Sequence, residues 1–340
     1  MAHDAGARGR VLELINANWT TQAIRSACLL GLPEQMAAGA ASTDTLARNC
    51  GCEPHALRRL LQALVTLALC TDLGDDHYAL APDGKALRDD VPGSLRAWAL
   101  LVGGPHWGRW GGLDASVRSG LSHRARQGQA DGFAALEGAD AALFHRAMVD
   151  LTQVIAQAFV ERVDVTAMRR VVDVGGGSGA LVAAVLAAQP AARGVVFDLP
   201  AGLAGAEALL HRAGVDGRCS CVAGSFFDDP LPAGADTYLL KSVLHNWDDA
   251  RCVQLLKRCR AAMDAGATVW SLERVVSERL GSSARERAIA RSDLNMLVGQ
   301  SGRERRRAEF VALFEAAGLV LERESDLGAS GFSALAAVAR

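Results

Sequence analysis

The stretch Val171-Val172-Asp173-Val174-Gly175-Gly176-Gly177-Ser178-Gly179, with the apolar run from Ala180 to Ala188 behind it, constrains this chain more than any other. Apolar β-branched residues around a single Asp fit a strand buried on both faces. Ala180 to Leu186 favours helix, and Ser178 is placed to cap its start. The glycines between them let the backbone turn tightly and admit a ligand where a Cβ would block it. Strand, glycine turn and helix in that order predict a nucleotide-type crevice above the first strand of a parallel sheet.

Gly175, Gly177 and Ala180 also satisfy the dinucleotide pattern, so hydride transfer with NAD stays open at this point. A second strand, Gly194-Val195-Val196-Phe197-Asp198, ends on a carboxylate about 20 residues beyond the glycines, where it can accept both hydroxyls of a ribose. NAD and S-adenosylmethionine (SAM) both carry that ribose. The choice between them rests on the rest of the chain.

At 340 residues, two domains are expected. Hydrophobic residues make up 50% and the formal net charge is −2, which predicts a soluble globular protein with no general pull towards nucleic acid or an anionic membrane. The first residues lack the apolar centre of a signal peptide, and no run approaches the ~18 apolar residues of a membrane span. The eight cysteines do not form a disulfide framework in so long a chain. Cys50 with Cys52 and Cys219 with Cys221 have the wrong spacing for zinc, and the histidines show no metal-ligand spacing. Reduced thiols, no metal and a cytoplasmic location are expected.

Along the chain, residues 10–38 read as an amphipathic helical region. Ser42 starts a capped helix, Gly51 to Pro54 form a turn, and a second helix runs from His55 to Ala68. Asp72 to Leu80 fit a hairpin around Gly74-Asp75-Asp76. That is a winged-helix outline, and Arg58 and Arg59 on the second helix raise DNA binding. The rest of that helix is mainly Ala, Leu and Val, and Asp72, Asp75, Asp76, Asp83, Asp89 and Asp90 crowd the wing where phosphates would be repelled. An interaction or dimer module fits this charge pattern better. Trp98, Trp107 and Trp110 either wall an aromatic pocket or pack a core. Ser119 to Gly138 reads as loop, and Phe144 to Ala158 as a connecting helix. The resulting division is 1–95 dimerisation domain, 96–160 connecting helices lining a substrate pocket, and 161–340 nucleotide-binding catalytic domain.

Beyond Asp198 the elements keep alternating: a helix at 201–213, strands at 219–223, 236–240 and 268–272, and a helix at 249–263. Helices at 286–298 and 306–317 and strands at 319–325 and 331–338 complete a doubly wound sheet with an antiparallel edge. Ligands then sit beyond the strand ends. Lys241-Ser242-Val243-Leu244-His245-Asn246-Trp247-Asp248-Asp249, then Glu273, then Gly302-Arg303-Glu304 lie there. Arg305-Arg306-Arg307 reads as a solvated helix face.

With VVDVGGGSG, FDLP, GSFFDDPLP, LLKSVLHNWDD and GRERRRAEF in that order, nearly the whole chain resembles the SAM-dependent O-methyltransferases of the caffeic acid and hydroxyindole type, with their bacterial natural-product branch. The resemblance implies a Rossmann-like class I methyltransferase domain, SAM as methyl donor with S-adenosylhomocysteine as product, and a winged-helix dimerisation domain. It implies that Asp173, Gly175, Gly177, Asp198, Leu199, Ser225, Phe226 and Lys241 bind the cofactor. His245 would be the catalytic base, flanked and oriented by Glu273 and Glu304. Met148, Trp107, Trp247 and Met296 would hold a small aromatic acceptor. Two departures stand out: Ser225 replaces a frequent Asp, and Asn246 replaces the Asp that often follows the histidine.

The chemistry agrees. A donor that already carries a leaving group needs only an aligned acceptor and removal of its proton, together worth ~7–11 kcal/mol for alignment and ~10²–10⁴-fold for a base. A histidine with an ordinary pKa of ~6.5 suits a phenol of ~10. A carboxylate on its other nitrogen fixes the tautomer, and Glu273 at the adjacent strand end is placed for that. N- or C-methylation, or a SAM-binding homologue acting as hydroxylase or pericyclase, are the alternatives. The apolar first helices (Leu12, Ile15, Trp19, Ile24, Leu29, Leu30) predict a homodimer.

Overall fold

The computed structural model describes residues 2–129, 138–300 and 302–340. The chain divides into two compact units, residues 1–108 with 137–151, and residues 109–136 with 152–340.

The first unit opens with α1 (Ala2–Leu29), which starts well before the expected boundary. Gly31, left-handed at φ 66°, ends that helical run, and α2 (Leu32–Gln35) begins with Pro33 in its first turn, where no N–H is needed. β1 (Ala41–Ser42), α3 (Thr43–Cys50), α4 (Pro54–Thr66), β2 (Cys70–Asp72) and β3 (His77–Leu80) follow, with strand order β1-β3-β2: the winged-helix arrangement. Ser42 caps α3 as expected, accepting the Thr45 N–H. Leu32, Leu46, Leu57, Leu61, Leu64 and Tyr78 form the core. Arg58, one of the two basic residues on the second helix, is paired at 2.7 Å with Asp76 of the hairpin. On α1, Val11, Leu12, Leu14, Ile15 and Trp19 remain exposed.

α5 (Arg96–Val102), α6 (Pro105–Trp110) and α7 (Leu113–Ser119) precede the long α8 (Gly138–Arg162). Of the segment expected to be loop, residues 130–137 lie outside the described residues. Ala97, Leu101 and Ala147 form a small cluster on which Trp98, Phe144 and Met148 pack.

In the second unit, β4 (Arg170–Val174), α9 (Ala180–Ala188), β5 (Arg193–Asp198), α10 (Ala206–Arg212), β6 (Cys219–Ala223), β7 (Ala235–Lys241), α11 (Asp249–Ala262) and β8 (Met263–Glu273) follow in order. β9 (Val275–Val276), α12 (Ala284–Gly299), β10 (Arg305–Arg306), α13 (Arg307–Ala316), β11 (Leu319–Asp326) and β12 (Ser333–Ala339) complete it. The main sheet has the order β11-β12-β8-β7-β4-β5-β6. β12 runs antiparallel to both its neighbours, so the reversed strand is the penultimate one. α10 starts five residues later than expected, after a turn that ends on left-handed Gly205 at φ 82°. Leu255, Leu256 and Cys259 of α11 and Phe310 and Phe314 of α13 cover one face of Val172, Tyr238, Leu240 and Val269.

Chain order reverses at β4, which pairs with β5 on one side and β7 on the other. In an open α/β sheet that is where the crevice forms. Ser178 does not cap α9: the capping position is Gly179, with no side-chain bond. Asp173 does that work from inside the strand, accepting the Val182 N–H at 3.3 Å. All eight cysteines are free, and no described helix is long and apolar enough to cross a membrane.

Candidate active site

Gly175 at φ 69° and Gly177 at φ 57° turn the chain out of β4, in a backbone region that a side chain strains. The Gly177 N–H donates to Asp198 Oδ2 at 2.7 Å, and the Leu199 N–H to Asp198 Oδ1 at 2.7 Å. Thus the carboxylate at the end of β5 is held against the glycine turn at the end of β4. A Cβ on Gly175 would lie 3.1 Å from Val243 Cγ2 and 3.5 Å from Phe226 Cε1. The turn, Asp198, Leu199 and Phe226 therefore surround one cradle, and Val243 places the segment carrying His245 beside it. Those features fit an adenosine cofactor: a carboxylate at a strand end beside a bare backbone turn and an aromatic face.

Around that cradle, burial pushes the Asp173 carboxyl up to about 7, with Asp198 adding to the effect. Desolvation, with Arg274 nearby, brings Lys241 down to about 8, and its Nζ donates to Thr152 Oγ1 at 2.9 Å. The Ser225 hydroxyl donates to Asp228, and its N–H to Asp229. In this way Ser225 is wired into a local acidic turn in place of the Asp the resemblance leads one to expect.

His245 sits on a single turn, Leu244–Asn246, directly after β7. Ser242 before it is left-handed at φ 55°, a strained state for a non-glycine residue. The Asn246 amide donates to the Ser242 carbonyl at 2.8 Å and helps hold that turn. An Asp at 246 could not donate there when ionised, which gives Asn246 a physical reason. His245 is 7% exposed, and its Nδ1 bonds to Glu304 Oε1 at 3.1 Å. Glu273 Oε2 lies 3.9 Å from Nδ1, beyond hydrogen-bond distance. Its Oε1 instead accepts the Val243 and Leu244 N–H groups at 3.1 and 2.9 Å. Of the two carboxylates expected to flank the imidazole, Glu304 bonds to it, while Glu273 holds the backbone of the histidine's turn. The two-residue pairing of β9 with β10 explains this, because it brings Glu304 alongside the end of β8.

Burial alone would lower the proton affinity of His245, but Glu273 and the hydrogen-bonded Glu304 outweigh it and hold the imidazole above its ordinary value. Arg305 corrects an expectation. It is fully buried, not solvated, and donates to the Leu244 and Trp247 carbonyls at 2.9 and 2.7 Å and to Asp249. It thus clamps the turn on either side of His245. Nothing in a run of three arginines marks which one turns inward; its contacts are set by the β10 register. Arg306 and Arg307 are exposed as expected.

Trp247 stacks edge-on with Phe226 and Phe227, with ring centroids 6.0 and 4.8 Å away. Met296 on α12 is buried, and Trp110 donates to Asn295 of the same helix at 3.1 Å. Met148 and Trp107 belong to the first unit, where Met148 packs on the cluster around Leu101 and Trp107 is 40% exposed.

A seven-stranded sheet of this order, a glycine turn against a ribose-type carboxylate and a helical winged-helix domain define a class I methyltransferase that uses SAM. Comparison with known proteins fixes the family. Residues 110–320 match the O-methyltransferase domain and residues 12–88 the O-methyltransferase dimerisation domain. The phenazine O-methyltransferase PhzM of Lysobacter antibioticus is 32% identical over 92% of this chain and 91% of its own. The solved structure of the mitomycin 7-O-methyltransferase MmcR superposes with a TM-score of 0.86 at 34% identity, covering 100% of this chain and 99% of that one. An O-methyltransferase from neocarzinostatin biosynthesis, solved with SAM and 2-hydroxy-5-methyl naphthoic acid, gives a TM-score of 0.75 at 33% identity over 94% and 96% of the two chains. The chain belongs to the SAM-dependent O-methyltransferases, in their natural-product branch. That sets aside the dinucleotide reading left open by the glycines alone.

Proposed function

We propose that this enzyme methylates a phenolic hydroxyl of a small aromatic acceptor, with His245 as general base. The observation carrying the reading is a buried imidazole whose Nδ1 is engaged by Glu304, on a turn packed beside the glycine cradle; Nε2 is the nitrogen assigned to the substrate. The aromatic ligand of the neocarzinostatin relative supports the acceptor class. When bound, SAM supplies a methyl carbon on a positively charged sulfur that keeps the bonding electrons as it leaves. His245 Nε2 would take the hydroxyl proton, leaving its bonding pair on the acceptor oxygen. Glu304 holds the tautomer with Nε2 unprotonated and steadies the imidazolium that follows.

Asp173, Gly175, Gly177, Asp198, Leu199, Ser225, Phe226 and Lys241 are assigned to the cofactor, with Asp198 on the ribose and Phe226 on the adenine. Met148, Trp107, Trp247 and Met296 are assigned to the acceptor on the resemblance alone. Residues 1–95, 96–160 and 161–340 are read as dimerisation domain, connecting helices and catalytic domain, in a cytoplasmic enzyme.

The test is release of S-adenosylhomocysteine with a panel of phenols and naphthols against matched aromatic amines. Turnover of amines with none of any phenol overturns the O-methylation reading. Asp198→Asn should weaken SAM binding roughly tenfold to hundredfold, the worth of charge-assisted hydrogen bonds at about 1.5–3 kcal/mol, as read by calorimetry. The exposed apolar face of α1 (Leu12, Ile15, Trp19) is proposed to be covered by a second copy. Light scattering should return twice the chain mass of 35.7 kDa, and a mass of one chain contradicts the dimer.

A further inference from the structure

Of the four carboxylate oxygens beside His245, two are fully engaged and two are not. Glu273 Oε1 accepts two backbone N–H groups, and Glu304 Oε1 accepts His245 Nδ1 and the Ser292 hydroxyl, the latter at 2.6 Å. The remaining oxygens, Oε2 of each residue, are buried and accept no hydrogen bond from the described residues. Glu273 is 0% exposed and Glu304 5%. One side-chain nitrogen of His245 and one carboxylate oxygen each of Glu273 and Glu304 lie within 4.8 Å of one another. Two ionised carboxylates in this space would leave two anionic oxygens unsatisfied and set like charges side by side.

One proton removes both difficulties. We propose that Glu273 carries a proton on Oε2 and shares it with Oε2 of Glu304, so that the pair presents a single negative charge to His245. The proton belongs to Glu273 because that carboxyl is held by neutral backbone N–H groups, whereas Glu304 receives the imidazole and a hydroxyl. The electrostatics run the same way. Burial, reinforced by Glu304 and opposed by His245, pushes Glu273 above the usual carboxylate range. Burial acts on Glu304 too, but the His245 bond, Ser292 and Arg274 bring it below that range. The other charged groups facing the pair are Arg274, Lys241, and Asp293, which accepts the Glu304 N–H at 2.8 Å.

The inference rests on His245 being the base, and it explains how that base can turn over. Facing two full negative charges, the imidazolium would hold its proton too tightly to release it. Facing one, it is stabilised and still returns to the neutral form. Glu273 is thus a positioning residue that works as a neutral acid.

The experiment uses the whole protein without acceptor. The His245 resonance of histidine-labelled enzyme, assigned by its loss in His245→Ala, is titrated in wild type, Glu273→Gln and Glu304→Gln. An amide at 273 reproduces the protonated acid, accepting at Oε1 and donating towards Glu304. Glu273→Gln should therefore change the imidazole's proton affinity by less than roughly tenfold, and Glu304→Gln should lower it by more than that. The infrared difference spectrum of wild type minus Glu273→Gln should contain the carbonyl band of a protonated carboxylic acid near neutral pH; the Asp173 carboxyl, itself pushed up to about 7, is common to both proteins and cancels. An equal fall in proton affinity in both variants overturns the shared proton. So does absence of that band from the difference spectrum, or failure of the Glu273→Gln variant to fold. None of these outcomes depends on whether a phenol is methylated, so the base reading and the shared proton fail separately.

Discussion

Replacing His245 by Ala is expected to lower kcat/KM for a phenolic acceptor by ~10²–10⁴-fold, with SAM affinity nearly unchanged. The residues assigned to the cofactor, Gly175, Gly177, Asp198 and Phe226, surround a turn separate from the bonds that His245 makes to Glu304, so binding should survive the loss of the imidazole. On the proposed mechanism, what disappears is the group that takes the proton. A phenol with a pKa of ~10 is almost wholly protonated at neutral pH, so the residual rate should climb steeply with pH until the acceptor ionises by itself. The wild-type profile should differ. Only neutral His245 can act as a base, and its proton affinity is raised, so activity falls as pH drops through a value above the ordinary ~6.5. Stability follows the opposite sign. A raised folded-state pKa contributes stability that is fully present below the unfolded value of ~6.5 and is lost as pH rises through the folded value. Melting curves against pH for wild type and variant would show it. A variant that keeps nearly full rate at neutral pH removes the general-base assignment.

Much of this site was legible in the chain because the signals are local. A buried strand, a glycine turn and an apolar helix announce themselves within the single stretch from Val171 to Ala188, and Asp198 and His245 stand at or just after the ends of strands. The fold class, the winged-helix outline and the positions of the sheet strands stand as read. What the sequence hid depends on contacts across long separations. Which carboxylate meets Nδ1 is decided by β9 and β10, two-residue strands too short to show any period. Arg305 looks like its neighbours Arg306 and Arg307 until that pairing turns it inward onto the carbonyls around His245. Ser178 does not cap the helix because Asp173, a strand residue nine positions before Val182, accepts that N–H instead.

The same long-range packing makes a single methyl group costly at Gly302. A Cβ built there would sit 2.1 Å from the His245 carbonyl oxygen and 2.6 Å from the Asn246 carbonyl carbon. Both are backbone atoms, so no side chain can swing aside to admit it. The approach is close because the next residue, Arg303, donates its N–H to that same His245 carbonyl at 2.9 Å, and Glu304 then reaches the imidazole. Gly302 is not among the left-handed residues, so Gly302→Ala introduces a clash with no backbone strain of its own. Overpacking of this kind typically costs about 1–3 kcal/mol, and relief requires the His245 turn and the Glu304 strand to move apart. A displacement on the order of 1 Å at a catalytic group can cost ~10²-fold in rate. Gly302→Ala should therefore lose activity far beyond its loss in melting temperature, with SAM binding little changed. Gly299→Ala, three residues earlier, is the internal comparison. A Cβ there meets nothing within 4 Å, so that variant should keep both stability and rate. Equal behaviour of the two alanine variants would show that contact between the 302–304 segment and the His245 turn does not set the geometry of the base.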